Sequence, residues 1–195
     1  MTTTFSPEKT ANSRTGKPSS AYTTIGLMFG DVWTHEVLDY GCGHAQEADA
    51  IGIDKLDKYQ YGDELIRNGY QNKVVGDISS KAGNYDYIIC SCVLNTIPNP
   101  SERSVVISNI YRFLKPGGKA IITVFTGVPR LDSTCVGSAF SRWGDGWKIE
   151  CKDGNHFQAP YTNTKIRNLV SLVLGDRVKF INTGKPGAVV IEKVR

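Results

Sequence analysis

A chain of 195 residues, 40% apolar and 22% charged, has enough material for one sizeable core, which excludes a disordered or fibrous chain. Its net charge of +4 is mild: it permits a nucleic-acid partner without requiring one. Five cysteines (Cys42, Cys90, Cys92, Cys135 and Cys151) are odd in number and make no CxxC pair, so the expectation is reduced thiols, no metal and a cytoplasmic protein.

In chain order, residues 1–24 are rich in Thr, Ser, Lys and Pro and lack an apolar signal core. The expectation is a flexible N-terminal arm ahead of a single domain spanning 25–195. Lys9, Arg14 and Lys17 outnumber Glu8, so the alternative to a solvated tail is a lid or phosphate-contacting arm. A short helix is predicted over 25–35 and a strand over 37–40. A helix over 44–50 is stopped by Gly52, and a second strand covers 53–57. One or two helical turns fit 62–68, a strand fits 73–75, and 85–93 is a nearly unbroken apolar run, as in a strand buried on both faces. Ser101 can cap a helix whose stripe is Val105, Val106, Ile110 and Phe113, with 115–118 as its terminating turn. A further buried strand covers 119–125. This alternation predicts an α/β, doubly wound, mostly parallel sheet. Residues 126–165 carry Gly, aromatic and charged residues with weak periodicity and read as an insertion. Ile166, Leu169, Val170, Val173 and Leu174 form one helix face, capped by Thr162 or Thr164 and ended by Gly175. Segments 178–181 and 189–191, separated by a Gly/Pro turn, read as an antiparallel C-terminal hairpin. No run is long and apolar enough to span a bilayer.

Residues 36–57, EVLDYGCGHAQEADAIGIDKLD, carry the most information. A strand ending in Asp39 is followed by Gly41 and Gly43, whose bare backbone lets a ligand approach closely. Gln46 stands where a dinucleotide fingerprint has its third glycine, which argues against a nicotinamide or flavin. A ribose carboxylate belongs about 20 residues on. Asp54 is 15 residues past Asp39 and Asp57 is 18. Asp57 fits better, and Asp54 stays open.

Four pieces in order, VLDYGCG, the acidic residue after strand two, YDYIICSCVLNTIP and FLKPGGKAIITVF, make residues 36–125 resemble a class I S-adenosylmethionine-dependent methyltransferase. The resemblance implies a seven-stranded Rossmann-like sheet, closed by the hairpin, with S-adenosyl-L-methionine as cofactor. It places Asp39 near the cofactor's amino group and the backbone of Gly41, Cys42 and Gly43 against it. Asp57 then takes the ribose, Asp77 accepts from the adenine amino group, Ile78 packs on the ring, and Cys92 ends the fourth strand at the same crevice. Residues 36–125 would hold the cofactor, and 1–35 together with 126–165 would select the acceptor. KTANSR, DYGCGH and GNHFQAPYT are also similar to methyltransferases associated with bacterial DNA-modification (phosphorothioation) systems.

The acceptor side is less marked. The [DNS]PP[YFW] motif of DNA amino-methyltransferases is absent, and Cys-Val-Leu-Asn stands there instead. The Pro-Cys of cytosine-C5 enzymes is absent too. Catalytic candidates are His156, Tyr161 and Asn95, with Gln158 able to orient an acceptor and His44 close to the glycines. Trp143, Trp147 and Phe157 read either as an apolar cluster beneath a loop or as a stacking wall. Three functions remain open at this level: methylation of a nucleic acid or nucleotide, methylation of a small molecule, and cofactor binding without catalysis.

Overall fold

The computed structural model describes residue 5 and residues 20–41, 54–56, 73–74, 83–127, 140–152 and 154–195. Seven strands form a mixed central sheet in the order β3-β2-β1-β4-β5-β10-β9. They are β1 (Val37–Tyr40), β2 (Asp54–Leu56), β3 (Lys73–Val74), β4 (Tyr85–Ser91), β5 (Leu114–Thr123), β9 (Val178–Ile181) and β10 (Ala188–Lys193). Neighbours from β3 through β5 run parallel, while β10 runs antiparallel to both β5 and β9. The chain moves outward from β1 to β2 and β3, then returns to place β4 on the other side of β1. That reversal makes the β1/β4 boundary the switch point, where open α/β sheets bind their ligands beyond the carboxyl ends of the strands.

Strand alternation sorts the core into two layers. On one face Val37, Ile89, Ile121 and Val190 pack against Ala21, Tyr22 and Ile25 of α1 (Ser20–Phe29). On the other, Leu38, Ile88, Cys90, Ala120, Ile122, Val189 and Ile191 lie under α2 (Pro100–Phe113) and α3 (Asn163–Leu174). Helices α2 and α3 are capped at both ends. Asn99 caps α2 by accepting from the Ser101 amide at 3.0 Å, and Lys193 donates to the carbonyls of Tyr111, in the last turn of α2, and of Leu114, its C-cap. Thr162 caps α3 by accepting from the Lys165 amide, and Arg177 donates to the carbonyls of Val173 and Leu174.

Several expectations need correcting. Helix α1 starts at Ser20, inside the segment assigned to the arm, because Ala21, Tyr22 and Ile25 are needed to cover the sheet. Phe5 also docks, edge-on, against Trp143 and Phe157 at centroid distances of 5.4 and 5.8 Å. The α2 cap is Asn99 rather than Ser101. Residues 115–118 belong to β5, which absorbs them through a register shift between Tyr85 and Tyr87. Gly118 is required there, since a Cβ would stand 2.9 Å from the Tyr85 carbonyl oxygen. The segment read as a weakly periodic insertion contains a second, antiparallel sheet: β6 (Phe140–Trp143), β7 (Gly146–Cys151) and β8 (Gly154–Gln158). The helices predicted over 44–50 and 62–68 lie outside the described residues. No described helix is long and apolar enough to cross a membrane.

Candidate functional site

Asp39 is on the α1 face of β1 and only 4% exposed. A buried carboxylate requires a donor, and the Tyr22 hydroxyl supplies one at 2.7 Å. Two residues on, Gly41 takes the left-handed φ of +76°. A Cβ there would meet Val93 Cγ2 at 2.3 Å, so the turn after β1 and the segment after β4 touch at the switch point with no room for a side chain. Cys92 mirrors it across the boundary. Among the described residues it is the one non-glycine with positive φ, +57°, and its amide donates to the Thr123 carbonyl at 2.8 Å. Left-handed geometry costs an ordinary side chain about 1–2 kcal/mol, and such outliers gather at functional sites. The Cys92 side chain is exposed, whereas burial pushes the Cys90 thiol upward in pKa.

Past Cys92 the chain winds into a 3-10 turn, Leu94–Thr96. The Asn95 carbonyl accepts from the Ala159 amide at 2.8 Å, and the Phe125 carbonyl accepts from the Tyr161 amide at 3.1 Å. Through these two bonds the segment after β8 crosses the carboxyl ends of β4 and β5. Asn95 is 2% exposed, and among the described residues neither its Oδ1 nor the buried Oε1 of Gln158 has a hydrogen-bond partner.

His156 is buried, lies opposite Ile149 in the β7–β8 register, and has its Nδ1 3.6 Å from the Cys151 sulfur. Cys151 is disulfide-bonded. This corrects the expectation that all five thiols are reduced, and it removes the support those thiols gave to a cytoplasmic location. Spacing along the chain cannot show which sulfurs meet in space.

Tyr161 is committed elsewhere. Its hydroxyl meets the guanidinium of Arg103, which is 2% exposed and also donates to the Ile97 and Pro98 carbonyls and, bidentately, to Asp145 at 2.6 and 2.9 Å. Lys165 joins Asp145 at 3.0 Å. Burial alone would raise the Asp145 pKa, but the hydrogen bonds and charges of Arg103 and Lys165 hold it at about 2. Burial pushes Tyr161 up to about 12 against the pull of Arg103, which makes it a poor base near neutral pH. Arg103 also lies over the Phe157 ring. The network thus ties α2, α3 and the three-stranded sheet together. A sequence signal for it existed: Arg103 stands in the buried stripe with Val106, Ile110 and Phe113.

Of the aromatic residues, Phe157 belongs to the core and Trp147 carries Arg142 at 4.0 Å from its ring. Asp54 opens β2 opposite Leu38. Cys42, Gly43, His44, Gln46, Asp57, Asp77 and Ile78 lie outside the described residues.

An α/β domain with a bare-glycine turn beside a buried carboxylate at its switch point is built for a nucleoside-type cofactor. Comparison with known proteins gives the family. A family model for the methyltransferase domain matches residues 5–172; the chain belongs to that family. Its similarity to the protein YmfD of Escherichia coli K12 is 29% identity over 107 residues, 44% of this chain and 48% of YmfD, so the chain matches about half the length of that curated relative. Among solved structures, the CcbJ methyltransferase of Streptomyces caelestis aligns with TM-score 0.59 at 11% identity, over 91% of each chain. CalS10, an amino pentose methyltransferase of Micromonospora echinaspora with S-adenosylmethionine bound, aligns with TM-score 0.52 at 14% identity, over 93% of this chain and 100% of its own. An S-adenosylmethionine-dependent methyltransferase of Methanosarcina mazei gives 0.53 at 18%, over 82% and 92%. At these identities the likeness is one of fold.

Proposed function

We propose that this chain transfers a methyl group from S-adenosyl-L-methionine to an acceptor enclosed between the β4 end and the three-stranded sheet. The observation that carries the reading is the Asp39–Gly41 turn: a buried, tethered carboxylate followed by left-handed backbone where no side chain fits. That donor set suits the cofactor, whose amino-acid part carries an ammonium for a carboxylate to hold. In this reading Asp39 takes the ammonium side and the backbone of Gly41, Cys42 and Gly43 lies along the cofactor. Asp57 holds the ribose, Asp77 and Ile78 hold the adenine, and Cys92 closes the crevice from β4.

When bound, the cofactor supplies an electrophilic methyl on a neutral leaving group, so strong acid catalysis is not required. The chain's own work is alignment and exclusion of water. Tyr22 keeps the Asp39 carboxylate fixed, and the Arg103 network holds the three-stranded sheet over the strand ends. Asn95, Gln158 and His156 are the polar groups nearest that cover, with His156 the proton acceptor if one is used.

Calorimetry with S-adenosylmethionine, its demethylated product and NAD tests the assignment. The first two should bind and NAD should not; tight NAD binding with silence from the others overturns it. For the acceptor, the enclosed polar groups favour a small molecule. The exposed Arg142 on Trp147 favours a nucleic acid, for which turnover would fall steeply with added salt.

A further inference from the structure

Asn95 and Gln158 share a feature the core does not tolerate without cause. Each has a buried side-chain carbonyl oxygen with no hydrogen-bond partner among the described residues. An orphaned buried acceptor is costly, and the two residues that carry them are linked through the backbone. The Asn95 carbonyl receives the amide of Ala159, the residue after Gln158. Asn95 follows Val93, whose methyl abuts Gly41 at the switch point, so both amides belong to the carboxyl end of the sheet. Neither oxygen is spent on a hydrogen bond among the described residues. The Arg103–Asp145 network satisfies the neighbouring polar groups without them, and Gln158 is in register with Trp147, next to the exposed Arg142.

Resting on the cofactor reading above, we infer that Asn95 and Gln158 position the methyl acceptor, and that the acceptor presents N–H or O–H donors to their two amide oxygens. A carbonyl oxygen only accepts, so the pair selects an amine, amide or hydroxyl end and rejects a carboxylate or a fully alkylated nitrogen. Rejection is strong when the wrong partner leaves buried polar atoms unpaired.

The test uses the full chain loaded with S-adenosylhomocysteine and four planar probes of similar size: aniline, phenol, N,N-dimethylaniline and benzoate. The readout is the side-chain amide resonances of Asn95 and Gln158 in ¹⁵N NMR, assigned with Asn95→Leu and Gln158→Met. Aniline and phenol should shift both resonances, and either substitution should weaken their binding at least tenfold while leaving S-adenosylhomocysteine affinity within twofold. Asn95→Leu should also melt at or above the wild-type temperature without ligand, because it removes an unsatisfied group. Equal or stronger response to dimethylaniline or benzoate, no response to any probe, or a clear loss of stability in Asn95→Leu would overturn the inference. Failure of S-adenosylhomocysteine itself to bind would instead overturn the cofactor reading, and this inference with it.

Discussion

Gly41 concentrates two demands in one residue. Its φ of +76° disfavours any side chain, and Val93 occupies the space a Cβ would need. Gly41→Ala should therefore cost about 1–3 kcal/mol of stability and weaken S-adenosylmethionine binding at least tenfold, measured by thermal unfolding and calorimetry. In Gly41→Ala/Val93→Ala the steric conflict goes but the backbone strain stays, so stability should return only in part. Full recovery would mean that φ is not a constraint there. Asp39 and Gly41 were readable in the sequence because the signal is local: a strand, an acid and a glycine within a few residues. Asn95 and Gln158 were readable only as polar residues near a loop. What makes them informative is that the segment after β8 crosses the end of β4, a contact between residues 64 apart in sequence (159 − 95) that no local pattern encodes.

The elements differ in how far their sequence announces them. β4, β5 and β10 each contain a short apolar run (88–90, 120–122 and 188–191) and α3 carries a clear apolar face, so the α/β scaffold was legible. The three-stranded sheet was not. All four residues of β6 are exposed, which erases the alternation that marks a half-buried strand. That sheet is fastened by charge: Arg103 from α2 and Lys165 from α3 converge on Asp145 in the β6–β7 turn. The Asp145 carboxyl is held at about 2 against an ordinary 3.8. Its folded value is thus depressed, and the stability it contributes is complete above pH 4 and lost as pH falls toward 2. Denaturation of wild type and Asp145→Asn should differ near neutral pH and converge by about pH 2, in the range where the carboxylate takes up its proton. Arg103→Ala removes the buried partner and should cost about 3 kcal/mol, visible as a lower denaturation midpoint with unchanged slope. At the cap of α2, Asn99→Ala should cost about 1 kcal/mol.

At the scale of the whole molecule, the disulfide of Cys151 separates two pictures of this chain. Reduced thiols throughout would leave five reactive sulfurs, whereas one disulfide leaves three (5 − 2). Unfolding the protein in guanidinium without reductant and labelling with an alkylating reagent should add three adducts by intact-mass measurement, and five after reduction. Five adducts in both cases would remove the bridge. The count also has a functional reading, because Cys151 ends β7 with its sulfur beside His156, and β8 leads directly to Gln158 and the segment that crosses the strand ends. Reduction should leave the sheet of seven strands in place, since its core contains Cys90 and not Cys151. Its effect should fall on the cover instead, so reductant should change methyl-transfer turnover more than the affinity for S-adenosylhomocysteine. A parallel loss of both would place the bridge's influence at the β1–β4 switch point rather than over it.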